Sequence, residues 1–213
     1  MLSKTMAKLC VMSYKNRFKK LPQQFTTRYY FCVKNTHAYI FEGKNHLAVV
    51  FRGTDDFYDI LHDINILFTQ TKIGTVHRGF YAAFQTIHPI IKHKIETCTK
   101  KIFFTGHSLG AAIATICAAH YINKSPILVT FGSPKIGRKD FVQYTQQIHH
   151  IRWTNKKDLI CQVPPWLFHF GEKRKLNFGS IFTLKTNHKI QEYYSLIKTN
   201  FVPIIFYELE TII

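Results

Sequence analysis

The sequence predicts an α/β fold, a mostly parallel central sheet with helices on both faces. Three observations predict it. Short apolar runs of strand length alternate with segments of helical spacing. The 22 residues from Ile102 to Asn123 carry no Asp, Glu, Lys or Arg, and Gly106, His107, Ser108 and Gly110 break the run. That is transmembrane length, but turn residues inside it make it a buried strand followed by a buried helix. Finally, 213 residues with 46% hydrophobic and 19% charged side chains fit one compact domain over residues 1–213.

The elements follow in order. The first ~25 residues predict a helix with Met6, Leu9, Cys10 and Met12 toward the body, ended by Pro22. Ala38–Glu42 and His46–Arg52 read as strands, joined by the hairpin signal Gly43-Lys44-Asn45. Asp56–Ile66 has helical spacing, with Phe57, Ile60, Leu61 and Ile64 on one face and Asp56, Asp59 and Asp63 on another. Phe80, Phe84, Ile87, Ile91 and Ile95 mark a helix from Phe80 to Thr97, which Pro89 should kink. Ile102–Thr105 is a strand and Ser108–Ile122 an Ala-rich helix. Strands at Ile127–Phe131 and Ile148–Trp153 and a last helix at His188–Ile197 complete the pattern. Phe201–Phe206 reads as a buried terminal strand, ahead of an interfacial patch.

Charge raises a second question. Formal net charge is +17, from 29 Lys and Arg against 12 Asp and Glu. This excludes an acidic solvating protein and admits a polyanionic partner, nucleic acid or an anionic membrane surface. Lys outnumbers Arg 22 to 7, which AT-rich codon usage would also produce. Residues 1–41 hold eight basic residues and no acid, whereas Asp55, Asp56, Asp59 and Asp63 cluster. Acids on one helix face rarely close a metal site alone, so no metal is assigned and the cluster reads as the outer face of a lid helix. No nucleic-acid-binding module is recognisable. Lys173-Arg174-Lys175 and the basic N-terminus could meet phosphate. Five cysteines without a CxxC pair argue against a disulfide framework or a zinc site. No secretory signal is visible, which favours a cytoplasmic or peripheral membrane location. Oligomeric state is not legible.

Gly106-His107-Ser108-Leu109-Gly110, between a strand and a helix, is the G-x-S-x-G nucleophile-elbow pattern. The turn is tight, so the residues flanking the serine must be tiny. A serine hydroxyl needs a general base oriented by an acid. In doubly wound hydrolases the chain order is Ser, then Asp or Glu, then His. Asp158 leaves the carboxyl end of a strand, the place for a site, and Asp140 reads as a helix-start cap. His169 and His188 remain as bases. His77 and His149-His150 read as structural.

Several segments in order resemble the class 3 lipases, the fungal-lipase-like branch of the α/β-hydrolases. Val50-Phe51-Arg52-Gly53-Thr54 is similar to the oxyanion strand, and Asp59–Ile64 to the lid helix. Val76-His77-Arg78-Gly79-Phe80 resembles Val-His-x-Gly-Phe. Thr130-Phe131-Gly132-Ser133-Pro134-Lys135-Ile136-Gly137 resembles Thr-Phe-Gly-x-Pro-Arg-Val-Gly. Asn155–Asp158 with Val163-Pro164-Pro165 resembles the acid loop, and Asn187-His188-Lys189-Ile190 with Tyr193 the histidine segment. The likeness spans about residues 48–194.

The resemblance implies an α/β-hydrolase fold, with Ser108 as nucleophile, Asp158 as orienting acid and His188 as base. Thr54 and Leu109 become the oxyanion donors, and His169 a second, non-catalytic family histidine. Ala111-Ala112 stands where the family commonly has Gly-Gly, and the short Asp158-to-His188 interval implies a more open acyl groove. The implied function is serine hydrolysis of lipid acyl esters through an acyl-enzyme, without a cofactor. The alternatives are a phospholipase A1 acting on anionic phospholipid and a catalytically silent binding protein on the same fold.

Overall fold

The computed structural model describes residues 1–15, 20–54, 67–179 and 184–199. Helix α1 (Leu2–Ser13) opens the chain. It buries Met6, Leu9, Cys10 and Met12, the face its spacing predicts. It is about half the predicted length. The Tyr14 and Lys15 N–H groups bond back only three residues, to Val11 and Met12, which closes the last turn.

Strands β1 (Thr27–Val33), β2 (Thr36–Glu42) and β3 (His46–Phe51) form an antiparallel meander. β1 has no counterpart in the sequence reading. Its burial alternates weakly, because it is a sheet edge. A two-stranded ribbon follows, β4 (Phe68–Thr71) with β5 (Gly74–His77), and leads into α2 (Arg78–Glu96). The His77 Nδ1 atom accepts from the Gly79 and Phe80 N–H groups, so His77 caps this helix. The helix runs on through Pro89. Pro89 and Gln85 are both exposed, so water can satisfy the carbonyl that proline leaves unpaired.

β6 (Lys101–His107) and α3 (Leu109–His120) are the buried strand and helix expected of the uncharged run. No helix among the described residues is long and apolar enough to cross a membrane. A 3₁₀ turn (Ile122–Lys124) leads to β7 (Ile127–Phe131), α4 (Lys139–Thr145) and β8 (His149–Asn155). A second 3₁₀ turn (Leu159–Gln162) precedes β9 (Glu172–Leu176), α5 (Leu184–Asn187) and α6 (Ile190–Thr199). The predicted last helix is α6, which starts two residues later than expected; α5 precedes it without a counterpart in the sequence reading, and His188 stands in the break between the two. Lys173, Arg174 and Lys175 lie on β9, the other sheet edge, where long charged side chains block edge pairing. The predicted helix over Asp56–Ile66 with its acid cluster, and the segment Phe201–Phe206, lie outside the described residues.

The seven strands run β1-β2-β3-β6-β7-β8-β9, antiparallel through β3 and parallel from β3 to β9. Alternation divides the core. Val49, Phe51, Phe104 and Leu128 meet α2, α3 and α4 on one face. Val50, Phe103, Val129, Phe131 and Trp153 meet α1 and α6 on the other. Helices on both faces of a mostly parallel sheet match the fold class read from the sequence. The carboxyl ends of β6, β7 and β8 therefore open on one edge, where such folds place their sites.

Candidate active site

Ser108 stands between the end of β6 and the start of α3 with φ 59° and ψ −129°. A positive φ on a side-chain-bearing residue costs roughly 1–3 kcal/mol and persists only where its surroundings enforce it. Here they do. A Cβ on Gly106 would collide with the Gly110 backbone, and one on Gly110 with the Phe51 carbonyl of the neighbouring strand. Glycine at both positions lets strand and helix approach closely enough to hold the turn. Ser108 is buried, and its Oγ has no hydrogen-bond partner among the described residues.

Asp158 follows β8 and is fully buried. Its Oδ2 accepts from His188 Nδ1 at 2.7 Å and from the Tyr193 hydroxyl at 2.8 Å, and its Oδ1 from the Ile160 N–H at 3.1 Å. Three donors compensate the lost hydration of this carboxylate. Tyr193 stays protonated as a donor, because burial first, then the nearby Cys161 and Asp158, push its hydroxyl well above the usual phenol range. With the proton on His188 Nδ1, the neutral ring carries its lone pair on Nε2.

The loops that bring the two together are laced. The Asn155 side-chain amide donates to the Asn187 and Phe178 carbonyls, and the Asn187 amide donates to the Lys157 carbonyl. The break between α5 and α6 frees the His188 carbonyl from helical bonding, and His107 Nε2 donates to it. The His107 and His188 rings lie 4.5 Å apart, which sets His188 beside the elbow.

Leu109 is the first residue of α3, so its N–H has no partner within the helix. Thr54 follows β3, and its Oγ1 is buried without a partner among the described residues. Gly53, between Arg52 and Thr54, lies against the Ser108 Cβ. The other sequence candidates lie elsewhere. His169 Nε2 donates to the Cys161 carbonyl at 2.9 Å, and burial, with Arg152 nearby, pushes its pKa down to about 3. Asp140 accepts from the Thr75 N–H and hydroxyl at 2.8 and 2.7 Å, tying α4 to β5 rather than capping its own helix. Sequence reasoning missed Tyr14, whose hydroxyl lies 2.9 Å from His107 Nδ1, and gave no role to Tyr193, Asn155 or the His107 side chain. Nothing in the chain pattern marks Tyr14, 93 residues from its partner.

The fold and this constellation define a class, and comparison with known proteins names it. The profile of the family "Lipase (class 3)" matches residues 48–168, more than half the chain. The protein belongs to the class 3 lipase family. It is 28% identical over 157 residues to a lipase of Rhizopus niveus, covering 65% of this chain and 40% of that one. It is 36% identical over 105 residues to the secreted mono- and diacylglycerol lipase 1 of Fusarium solani, covering 45% of this chain and 31% of that one. The structure of lipase II from Rhizopus niveus superposes with a TM-score of 0.71 at 23% identity, covering 84% of this chain and 80% of that one. That likeness shows the α/β-hydrolase fold. The chain spans about 40% of the length of the curated Rhizopus lipase it matches.

Proposed function

We propose that the protein is a serine carboxylester hydrolase acting on lipid acyl esters, with Ser108, His188 and Asp158 as its triad. The observation that carries this reading is the 2.7 Å bond from His188 Nδ1 to the buried Asp158, beside a serine held in elbow geometry. His188 Nε2 takes the Ser108 proton as Oγ attacks the ester carbonyl. The Thr54 and Leu109 N–H groups receive the negative charge on the carbonyl oxygen. The tetrahedral adduct collapses, and His188 returns the proton to the departing alcohol. Water, deprotonated by His188, then releases the fatty acid and regenerates Ser108. No cofactor enters these steps.

The expected result is hydrolysis of short p-nitrophenyl esters and acyl release from lipid by the full chain, lost in Ser108→Ala. Equal activity in both proteins would overturn the reading.

A specific surface favours contact with an anionic lipid aggregate. Phe68, Trp166 and Phe168 line a cavity of ≈ 730 Å³ together with Arg138, Lys139 and Asp140, so two cations face one acid there. The Arg138 guanidinium lies 4.3 Å from the Phe68 ring centre, and Lys135 Nζ donates to the Pro165 carbonyl beside Trp166. Lys135, Arg138, Trp166 and Phe168 sit on the loops that leave β7 and β8, the same strands whose ends carry Gly132 and Asp158 into the site, while Phe68 comes from β4 and Lys139 opens α4. An amphipathic indole and apolar phenyl rings beside cations suit an anionic bilayer interface. A phospholipase A1 activity is the second reading, and acyl release from anionic phospholipid exceeding that from triacylglycerol would favour it.

A further inference from the structure

We propose that Tyr14, from the N-terminal helix, is a positioning residue for the reaction, acting through the His107 side chain on the main chain of the His188 loop. This rests on the proposed role of His188 and extends the site to residues outside the 48–168 family match.

The chain of contacts has one direction. A carbonyl only accepts, so His107 Nε2 must carry the proton it shares with the His188 carbonyl. His107 is buried, and that burial, with His188 alongside, holds its pKa well below the ordinary value, so the ring is neutral. A neutral ring with its proton on Nε2 has a bare Nδ1, and the Tyr14 hydroxyl, 2.9 Å away, donates to it. The His188 carbonyl selects this tautomer and the Tyr14 hydroxyl reinforces it from Nδ1, so the residue next to the nucleophile holds the residue that supplies the base.

Tyr14 is itself held. The Arg52 guanidinium lies 5.2 Å from its ring centre. A Cβ on Gly53 would come within 2.5 Å of its hydroxyl and 2.6 Å of the His107 carbonyl oxygen. Only glycine leaves room there for the hydroxyl and the elbow backbone on the segment that leads from β3 to Thr54. Helix α1 anchors the tyrosine through Met6, Leu9 and Cys10, in the same core cluster as Ile190 and Tyr193 of α6. One cluster therefore sets the reach of both Tyr14 and the His188 loop.

The test compares Tyr14→Phe with the parent full chain on a soluble short-chain ester. Phenylalanine keeps the ring under Arg52 and removes only the donor. A loss of roughly tenfold in kcat is expected, with KM within about twofold and a melting temperature lowered only by the loss of one part-buried hydrogen bond, because misplacing a base by a fraction of an ångström slows the chemistry without touching substrate binding. His107→Gln, whose side-chain amide can still donate to the His188 carbonyl, should retain more kcat than His107→Leu. Nitrogen-15 NMR of His107 should report protonated Nε2 in the parent and a mixed tautomer in Tyr14→Phe. An unchanged kcat in Tyr14→Phe, or an unchanged His107 tautomer, would overturn the proposal. The tautomer reading stands apart from turnover, so an enzyme inactive on every ester would sink the proposed function and leave the relay testable.

Discussion

Tyr193 and Asp158 meet at 2.8 Å, hydroxyl to carboxylate, in a spot where neither has any exposure to solvent. The same hydroxyl accepts from the Asn155 N–H at 2.9 Å. Tyr193 thus joins the strand that carries the acid to the helix that follows His188, and it shares Oδ2 with His188 itself.

Tyr193→Phe tests that junction. It leaves a buried carboxylate short of one donor and a buried N–H without its acceptor. Such losses cost about 1–3 kcal/mol. Chemical denaturation should show a drop of that size, with kcat falling more than KM changes. A denaturation midpoint equal to the parent's would remove Tyr193 from the account.

The elbow makes a steric prediction. Gly110→Ala places a methyl group against the Phe51 carbonyl. Overpacking of this kind costs about 1–3 kcal/mol, and relief would pull α3 from the sheet and flatten the Ser108 turn. The variant should lose both stability and ester hydrolysis, read by thermal melting and initial rates. Full activity at parental stability would contradict the packing described.

Acid should destabilise the fold. His107 and His150 are buried and held well below their ordinary value of 6.5 by that burial, and His169 is pushed to about 3. A base whose folded pKa is depressed binds fewer protons folded than unfolded at acid pH. Its stabilising contribution is complete above pH 6.5 and is lost as pH falls toward the folded value. Melting temperature should fall steadily from pH 7 to pH 4, and less steeply in His169→Gln. A flat profile over that range would contradict the neutral, buried state of these rings.

The proposed lipid-contact surface has its own reporter. The chain has two tryptophans, and Trp153 is 5% exposed while Trp166 is 47% exposed. Anionic vesicles should shift the Trp166 emission to shorter wavelength, and salt should weaken the shift by screening. Arg138→Gln with Lys139→Gln should weaken it too while sparing hydrolysis of a soluble ester. An unshifted emission on anionic vesicles would remove the contact.

Much of this was legible in the sequence. The 3.6-residue spacing of Phe80, Phe84, Ile87, Ile91 and Ile95 named the buried face of α2 correctly. The glycine pattern around Ser108 announced a strand-to-helix turn, and the turn is there. Chain order narrowed the bases to His169 and His188, and His188 is the one that meets Asp158. What escaped had no local signal. β1 and β9 are edge strands, half-solvated and without the continuous buried apolar run that marks β3 and β7. The break at His188 is fixed by its carbonyl's bond to His107, 81 residues away. Tyr14 looks like any helix-end tyrosine until the sheet brings it under the elbow. The +17 charge did not select the function. Its useful part is local: Lys135, Arg138 and Lys139 beside exposed aromatic rings.

The central claim is that Ser108 is a nucleophile activated by His188 and Asp158. Its most direct measurement is mass-spectrometric mapping of the folded full chain after reaction with a fluorophosphonate. The account predicts one stoichiometric adduct, on the peptide that contains Ser108, and none in Ser108→Ala. No adduct on the parent protein, or an adduct that survives in Ser108→Ala, would contradict it.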